Sequence, residues 1–112
     1  MMRDMSSPLV PFRCLSAVCV LDSGLDDWTL LDEPVEPSSP RVAKLRVSFD
    51  APFSLPPVVH IGIVGMDVSK LDNTRLRARA EDVTAAGFVV SVETWLNTQI
   101  WSVEISWLAI GS

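Results

Sequence analysis

Hydrophobic and polar residues alternate along most of the chain, which is the pattern of strands that bury one face. In residues 41–49, Leu45, Val47 and Phe49 alternate with Lys44, Arg46 and Ser48. No segment keeps helical spacing over three turns. The same period of two recurs in further segments, which cover residues 15–21, 58–64, 76–81, 88–93 and 101–109. The pattern therefore predicts six strands.

Turn-forming residues separate these segments at hairpin spacing. Thr84-Ala85-Ala86-Gly87 predicts a tight hairpin in which Gly87 takes a positive φ. Leu96-Asn97-Thr98 predicts the next turn. Pro56 and Pro57 mark the entry to a strand, because proline cannot donate a ladder hydrogen bond. Six short strands with turns between them predict an all-β fold, an antiparallel sandwich or barrel.

Two segments lack the alternation. Residues 32–40 contain three prolines and predict an extended connection between the first two strands. Residues 65–74 predict a polar loop that carries Asp67, Asp72 and Asn73. Such oxygens suit calcium, but their spacing matches no EF-hand, and we favour turn capping by these side chains. We therefore expect no metal site.

Composition restricts the class of protein and of partner. A chain of 112 residues with 48% hydrophobic content predicts one packed domain. Its net charge of −5 argues against nucleic acid and anionic lipid as partners. No apolar run reaches the roughly 18 residues of a membrane-spanning helix.

The N-terminal region allows two interpretations. Residues 8–21 are apolar enough for a signal peptide, but Asp4 and Arg13 interrupt its expected regions. We favour an N-terminal extension over residues 1–13, followed by the domain over residues 14–112. Localisation stays open, with an extracellular or particle-surface setting favoured over the cytoplasm. Cys14 and Cys19 are predicted to be small buried or half-buried thiols, and a local bridge between them would close only a short loop and add little stability.

Residues for catalysis are scarce. His60 is the single histidine and lies between Val59 and Ile61, where a structural or interface role is expected. The sequence contains no metalloprotease, hydrolase, P-loop or dinucleotide-binding motif. One histidine and two cysteines do not make a zinc site. The chain is therefore predicted to be a non-enzymatic protein without a cofactor.

An ordered series of short motifs covers roughly the last 70 residues. It consists of Val47-Ser48-Phe49, Pro52-Phe53, Pro56-Pro57-Val58-Val59, Gly65-Met66-Asp67, Asn73-Thr74-Arg75, residues 82–88, Thr94-Trp95-Leu96-Asn97-Thr98 and residues 103–109. The series resembles the H-type lectin domain, the family of the snail agglutinins and of the discoidin C-terminal domain. The resemblance implies a six-stranded antiparallel β-sandwich that assembles as a homotrimer. It also implies that N-acetylgalactosamine or galactose-like glycans bind in clefts between protomers.

The same resemblance assigns four site residues. The family's sugar-contacting arginine falls on Arg75, its tryptophan on Trp95, and a later aromatic residue on Trp101. The residue after the tryptophan, which is polar in the snail protein, is Leu96. Position 38, where the family places an acidic residue, is Ser38.

That carboxylate is therefore missing unless Glu33 or Glu36 is shifted into its place. The cysteines of the snail protein are also absent, because Ser54 and Val92 stand at the matching positions. The resemblance thus implies a trimer that those disulfides do not hold.

Positions of equal parity, two apart along a strand, share one face of the sheet. This strand parity supports part of the assignment and leaves alternatives open. Trp95 is out of register with Phe88, Val90 and Val92, which favours an interface or ligand contact over packing. Trp101 shares the parity of Val103 and Ile105, so core packing is an equal alternative to a ligand contact for Trp101. Trp107 has the same parity and is assigned to the core or the trimer axis. Arg75 shares its parity with Arg77 and Arg79, so a cross-strand ladder with Glu81, Glu93 and Glu104 is an equal alternative for Arg75.

Two functions follow from these observations. The first is a lectin whose partner is a cell-surface glycan or polysaccharide. The alternative is a trimeric structural or receptor-binding module of a larger appendage, such as a phage-like fibre or spike, attached through residues 1–13. The missing carboxylate and the apolar Leu96 favour the alternative.

Overall fold

The computed structural model describes residues 12–33, 39–71 and 73–112. Every regular element in these residues is a strand. The strands in chain order are β1 (Arg13–Asp22), β2 (Arg41–Ser48), β3 (Val58–Val68), β4 (Arg77–Glu81), β5 (Gly87–Thr94) and β6 (Ile100–Gly111). They form two three-stranded sheets, one in the order β1-β6-β3 and the other in the order β2-β5-β4. All four strand pairings are antiparallel, which confirms the six-stranded antiparallel sandwich.

The core lies between the two sheets and follows the alternation. Phe88, Val90 and Val92 of β5 and Val103 and Ile105 of β6 are completely buried. At one end, four aromatic rings close the core with centroid separations of 5.1–6.0 Å, and these belong to Phe49, Phe53, Phe88 and Trp107. Aromatic pairs at this spacing add about 0.5–1.5 kcal/mol each beyond their burial. The assignment of Trp107 to the core is confirmed.

Strand β3 is longer than the alternation predicted. Ile63 pairs with Ile105 and Gly65 pairs with Glu104, so Val64 is an extra residue in β3. This bulge shifts the register, and pairing then continues to Val68. The prediction that the loop begins at Gly65 was therefore wrong by four residues, because the bulge breaks the period of two on which it rested.

Gly87 is required for a reason other than the predicted one. No glycine among the described residues has a positive φ, so the expectation of a positive φ at Gly87 was wrong. A Cβ at this position would lie 2.1 Å from the carbonyl oxygen of Val47, which leaves no room for a side chain. The hairpin is held by Thr84, whose hydroxyl accepts the backbone N–H groups of Ala86 and Gly87 at 3.1 and 3.2 Å.

The first strand begins at Arg13, the last residue of the predicted N-terminal extension; residues 1–11 lie outside the described residues. The Arg13 guanidinium lies 4.3 Å from the ring centroid of Phe53 and donates to the carbonyl oxygen of Pro52 at 2.8 Å. Both cysteines of β1 are free thiols; Cys19 is half-buried as predicted, whereas the prediction of burial was wrong for Cys14. Burial raises the pKa of Cys19, whereas Cys14 is exposed.

In the described part of the chain, no helix is long and apolar enough to span a membrane.

Candidate functional site

Three connections meet at one end of the sandwich. Because all pairings are antiparallel, the chain leaves β1, β3 and β5 at the end where it enters β2, β4 and β6. The β1–β2, β3–β4 and β5–β6 connections therefore share this end, which we call the site end. All four predicted site residues lie in these connections or directly beside them.

Arg75 precedes β4 and reaches across to the β5–β6 turn. Its Nη1 donates to Asn97 Oδ1 at 3.1 Å and to Thr98 Oγ1 at 3.0 Å. A weaker bond from the same nitrogen reaches the carbonyl oxygen of Asn73 at 3.4 Å. Arg75 is thus fixed to the turn that carries Trp95 and Leu96, rather than to the carboxylates of a cross-strand ladder.

The cross-strand ion pair forms at Arg77 instead. Arg77 Nη1 lies 2.7 Å from Glu93 Oε1, and its guanidinium carbon lies 5.0 Å from the ring centroid of Trp95. Glu93, Arg77 and Trp95 therefore form a chain of contacts that orients the half-buried indole. A ligand that stacks on Trp95 must use the ring face opposite Arg77 or displace Arg77.

Leu96 occupies the left-handed backbone region, with φ of 55°. A non-glycine residue costs roughly 1–2 kcal/mol in this conformation, so neighbouring contacts must hold it there. Its carbonyl oxygen accepts a 2.7 Å hydrogen bond from Arg41 Nη2. Backbone strain of this kind is concentrated at functional sites.

Arg41 is the residue that holds the site end together, and sequence reasoning missed it. The side chain is buried, and it donates to four backbone carbonyls. Nη1 bonds Leu30 O and Asp32 O at 3.4 and 2.7 Å, and Nη2 bonds Leu96 O and Thr98 O at 2.7 and 2.9 Å. Burial lowers the pKa of Arg41, although the carboxylates of Asp32 and Glu33 act in the opposite direction.

A signal for Arg41 was present in the sequence. Arg41 has the parity of Leu45 and Val47, so the alternation places an arginine on the inner face of β2. A charged residue on an apolar face needs several hydrogen-bond partners. That requirement pointed to a buried guanidinium but could not identify its carbonyl acceptors.

Further bonds attach the β1–β2 connection to β6. Trp28 Nε1 donates to the carbonyl oxygen of Ile100 at 3.0 Å, and Gln99 Nε2 donates to Leu31 O at 2.9 Å. Asp32 and Glu33 are thereby held at the site end with both side chains exposed. Glu36 and Ser38, the other positions considered for the acidic residue, lie outside the described residues.

Trp101 is not a core residue. Val68 pairs with Ile100 and Asp67 pairs with Ser102, so Trp101 is an extra residue in β6 without a partner in β3. It is 51% exposed. The core-packing alternative was wrong because this bulge reverses the parity on which it rested. Within the described residues, no hydrogen bond or ring contact joins the Trp101 side chain to Arg75 or Trp95.

No group of three or more histidine, cysteine, aspartate or glutamate side chains in the described residues could hold a metal ion. Asp67 is exposed and belongs to β3 rather than to a loop. Asp72, the second residue of the calcium alternative, lies outside the described residues. His60 is exposed on β3.

Comparisons with known proteins agree with this architecture. The family model described as H-type lectin domain matches residues 44–110. Among solved structures, recombinant discoidin II of Dictyostelium discoideum superposes with a TM-score of 0.72 at 20% identity, over 88% of this chain and 36% of that chain. Wild-type discoidin II from Dictyostelium discoideum gives a TM-score of 0.69 at 21% identity, over 88% and 37% of the two chains. At these identities the likeness concerns the fold.

A curated relative from Fuscovulum blasticum, named "ATP synthase subunits region ORF 7", is 39% identical over 75 residues. The match spans 67% of this chain and 65% of the relative, so it covers less than two thirds of that protein. The family that matches is a lectin family, which confirms the prediction of a non-enzymatic binding domain.

Proposed function

Because the chain belongs to the H-type lectin domain family, we propose that it binds N-acetylgalactosamine or galactose-like glycans at the site end. The hydrogen-bond geometry of the Arg75 guanidinium is the main observation that supports the proposal. All three hydrogen bonds of its guanidinium use Nη1. Nε and Nη2 have no protein partner within the described residues, so the planar edge they form is available to donate to two sugar hydroxyls.

Trp95 complements this donor edge. Sugar rings have an apolar C–H side that stacks on aromatic faces, while their hydroxyls need hydrogen-bond donors and acceptors. The contacts through Arg77 and Glu93 orient the indole before a ligand arrives, which lowers the ordering cost of binding. Leu96 adds an apolar contact in this arrangement, and exposed Trp101 forms the wall of the cleft where two protomers meet.

The acidic partner comes from the β1–β2 connection. Asp32 and Glu33 are exposed, and their backbone is anchored through the bond from Arg41 to Asp32 O. Carboxylates accept hydrogen bonds from sugar hydroxyls. Glu33 of a neighbouring protomer takes the role that Ser38 cannot fill, and the site is completed only in the oligomer.

The oligomer we propose is a homotrimer, and the outer face of the β1-β6-β3 sheet supports it. Val18 and Val20 of β1 form an exposed apolar ridge, 59% and 47% exposed. An open depression of about 520 Å³ lies on the same face, lined by residues that include His60, Gly62 and Ser106. The ridge and the depression share Val18 and give this face an apolar surface for contact between copies of the chain, and three-fold assembly is what the H-type lectin resemblance implies. Three weak sites then bind a multivalent glycan with avidity.

Calorimetric titration with N-acetylgalactosamine tests the proposal. Trp95→Ala should weaken binding about 2- to 12-fold through lost stacking. Arg75→Lys keeps the charge but loses the planar edge, and it should weaken binding at least about tenfold. Arg79→Gln is the matched control, because it removes a cation of β4 that lies outside the site, and it should leave binding of this neutral sugar unchanged.

Two results would contradict the lectin. One is unchanged affinity in folded Trp95→Ala and Arg75→Lys proteins. The other is no binding of millimolar sugar by an intact trimer. The second result favours the alternative of a trimeric structural module of a larger appendage, for which the apolar Leu96 is the specific observation.

A further inference from the structure

We infer that the glycan is acidic and that its negative groups lie on the outer face of the β2-β5-β4 sheet. This inference rests on the proposed function, because the face in question continues from the Arg75–Trp95 site. It adds a class of ligand, a carboxylated or sulfated polysaccharide, to the sugar type proposed above.

Cations outnumber carboxylates in the strand rows of this face, although Asp26 and Asp27 line a depression beside Lys44 at its β2 edge. The strand register places its outward residues in cross-strand rows, Val42–Glu93–Arg77, Lys44–Ser91–Arg79 and Arg46–Val89–Glu81. These rows hold four cations and two carboxylates. We call the four cations, Lys44, Arg46, Arg77 and Arg79, the cationic strip. The strip is a positively charged region on a chain whose net charge is −5.

The two carboxylates lie deeper than the cations they pair with. The Glu93 side chain is 19% exposed and that of Arg77 is 51% exposed; the corresponding values for Glu81 and Lys44 are 31% and 57%. Positive charge is therefore what the solvent meets, even where ion pairs form. Arg46 and Arg79 have no ion-pair partner among the described residues, so their charge is uncompensated nearby.

The cationic strip is continuous with the sugar site. Arg77 and Arg79 alternate along β4, so their backbone positions are about 6.6 Å apart, and Arg75 precedes Arg77 by two residues. Arg77 contacts both Glu93 of the strip's face and the Trp95 ring. A glycan whose terminal sugar occupies the Arg75–Trp95 site can therefore continue over Arg77 towards Arg79 and Lys44.

Shape and charge favour a polysaccharide over other polyanions. The face is three strands wide, roughly 10 Å at the usual strand spacing, which suits a single extended chain. A small depression of about 100 Å³ lies on this face, lined by the cations Lys44, Arg77 and Arg79 and by Val42, Ser91, Glu81 and Glu93. Nucleic acids and anionic membranes present dense negative charge over a wider area than the strip, so they also meet the rest of a protein whose net charge is −5, whereas a single extended polysaccharide chain contacts the strip alone.

The test compares oligogalacturonate with its methyl ester, which has the same backbone without the charge. Affinity of the full chain for each is measured by calorimetry at low and at high salt. The acid form should bind several-fold more tightly at low salt, and the difference should vanish at about 1 M salt, where exposed charges are screened. Arg79→Gln should lower the affinity for the acid about two- to fivefold and leave the ester unaffected.

Two control variants test whether the preference for the acid depends on the positive charge of the cationic strip. Arg79→Lys keeps the charge and should retain most of the preference for the acid. Lys70→Gln removes an exposed cation outside the strip, so it changes the net charge equally and should have a much smaller effect. Equal binding of acid and ester, an unchanged Arg79→Gln protein, or an equal loss in Lys70→Gln would overturn the inference. Tighter binding of duplex DNA or of phosphatidylserine vesicles than of oligogalacturonate would also overturn it.

Failure of this inference can be distinguished from failure of the proposed function. If N-acetylgalactosamine binds through Trp95 but acid and ester bind equally, the sugar site stands and the cationic strip has no ligand role. If oligogalacturonate binds in an Arg79-dependent manner but N-acetylgalactosamine does not bind, the strip stands and the proposed sugar is wrong.

Discussion

At the scale of single residues, the most informative side chain is Arg41. A guanidinium removed from water loses hydration worth several kcal/mol, and at Arg41 four backbone carbonyls replace it. Its Nε remains buried without a partner among the described residues. Arg41 therefore stabilises a particular arrangement of two connections, and the positive φ of Leu96 depends on that arrangement.

Replacement of Arg41 should be strongly destabilising. Arg41→Met keeps the apolar stem but leaves buried carbonyl oxygens without donors, at about 1–3 kcal/mol for each group that water cannot reach. We expect the free energy of unfolding in urea to fall by about 2–4 kcal/mol. Arg79→Met is the matched control, since Arg79 is exposed, and should change stability by less than about 0.5 kcal/mol. Equal stability of the two variants would contradict this role of Arg41.

Family resemblance made Arg75 and Trp95 candidate site residues, strand parity supported only Trp95, and in the structure the Arg75 side chain bonds to the turn that follows Trp95. Parity misled at Trp101 because an extra residue in one strand exchanges the two faces. The contacts of Arg41 could not be predicted in the same way. They join positions 30 and 32 to positions 96 and 98, and no local pattern encodes the closure of two separate connections.

At the scale of elements, the period of two predicted the number and order of the strands, because each strand buries one face. It failed at the strand ends, where Val64 and Trp101 interrupt the alternation. Both bulges lie in the β3–β6 pair. They extend that pair towards the site end and leave Trp101 exposed where the connections meet.

Strands β2 and β5 approach each other closely at Gly87, the first residue of β5. Gly87→Ala would place a methyl group 2.1 Å from the carbonyl oxygen of Val47, so β2 and β5 must separate locally. Overpacking of this kind costs typically about 1–3 kcal/mol, and we expect a comparable loss in thermal or urea unfolding. Gly24→Ala is the control, because its Cβ would meet only the end of the Asp22 side chain. A smaller loss at Gly87 than at Gly24 would be inconsistent with this account.

At the scale of the whole molecule, the two sheets present different outer faces. The β1-β6-β3 sheet carries exposed Val18, Val20 and Val58, with one carboxylate, Glu104, on the central strand. The β2-β5-β4 sheet carries the cationic strip. One face therefore suits contact between copies of the chain, and the other suits a charged ligand. The site end, where Arg75 and Trp95 lie, is shared by both sheets, so the proposed assembly surface and the proposed binding surface adjoin without overlapping.

Filling the depression on the first face should prevent assembly. Gly62 has an ordinary backbone conformation, and a Cβ there would lie 3.7 Å from Ser106 Oγ, so the isolated protomer tolerates a side chain. In the proposed trimer this face contacts the next copy, and Gly62→Leu fills the depression on it. Light scattering should give three times 12.3 kDa for the unmodified chain and 12.3 kDa for Gly62→Leu.

Ser48→Leu places the same side chain on the outer face of the opposite sheet and should leave the trimer intact. Because the proposed sugar site takes a carboxylate from the neighbouring protomer, Gly62→Leu should also weaken binding of N-acetylgalactosamine, whereas Ser48→Leu should not. A monomeric unmodified chain at micromolar concentration would contradict the trimer. A trimeric Gly62→Leu protein would place the interface elsewhere. Sugar affinity that survives dissociation would show that one protomer holds the complete site.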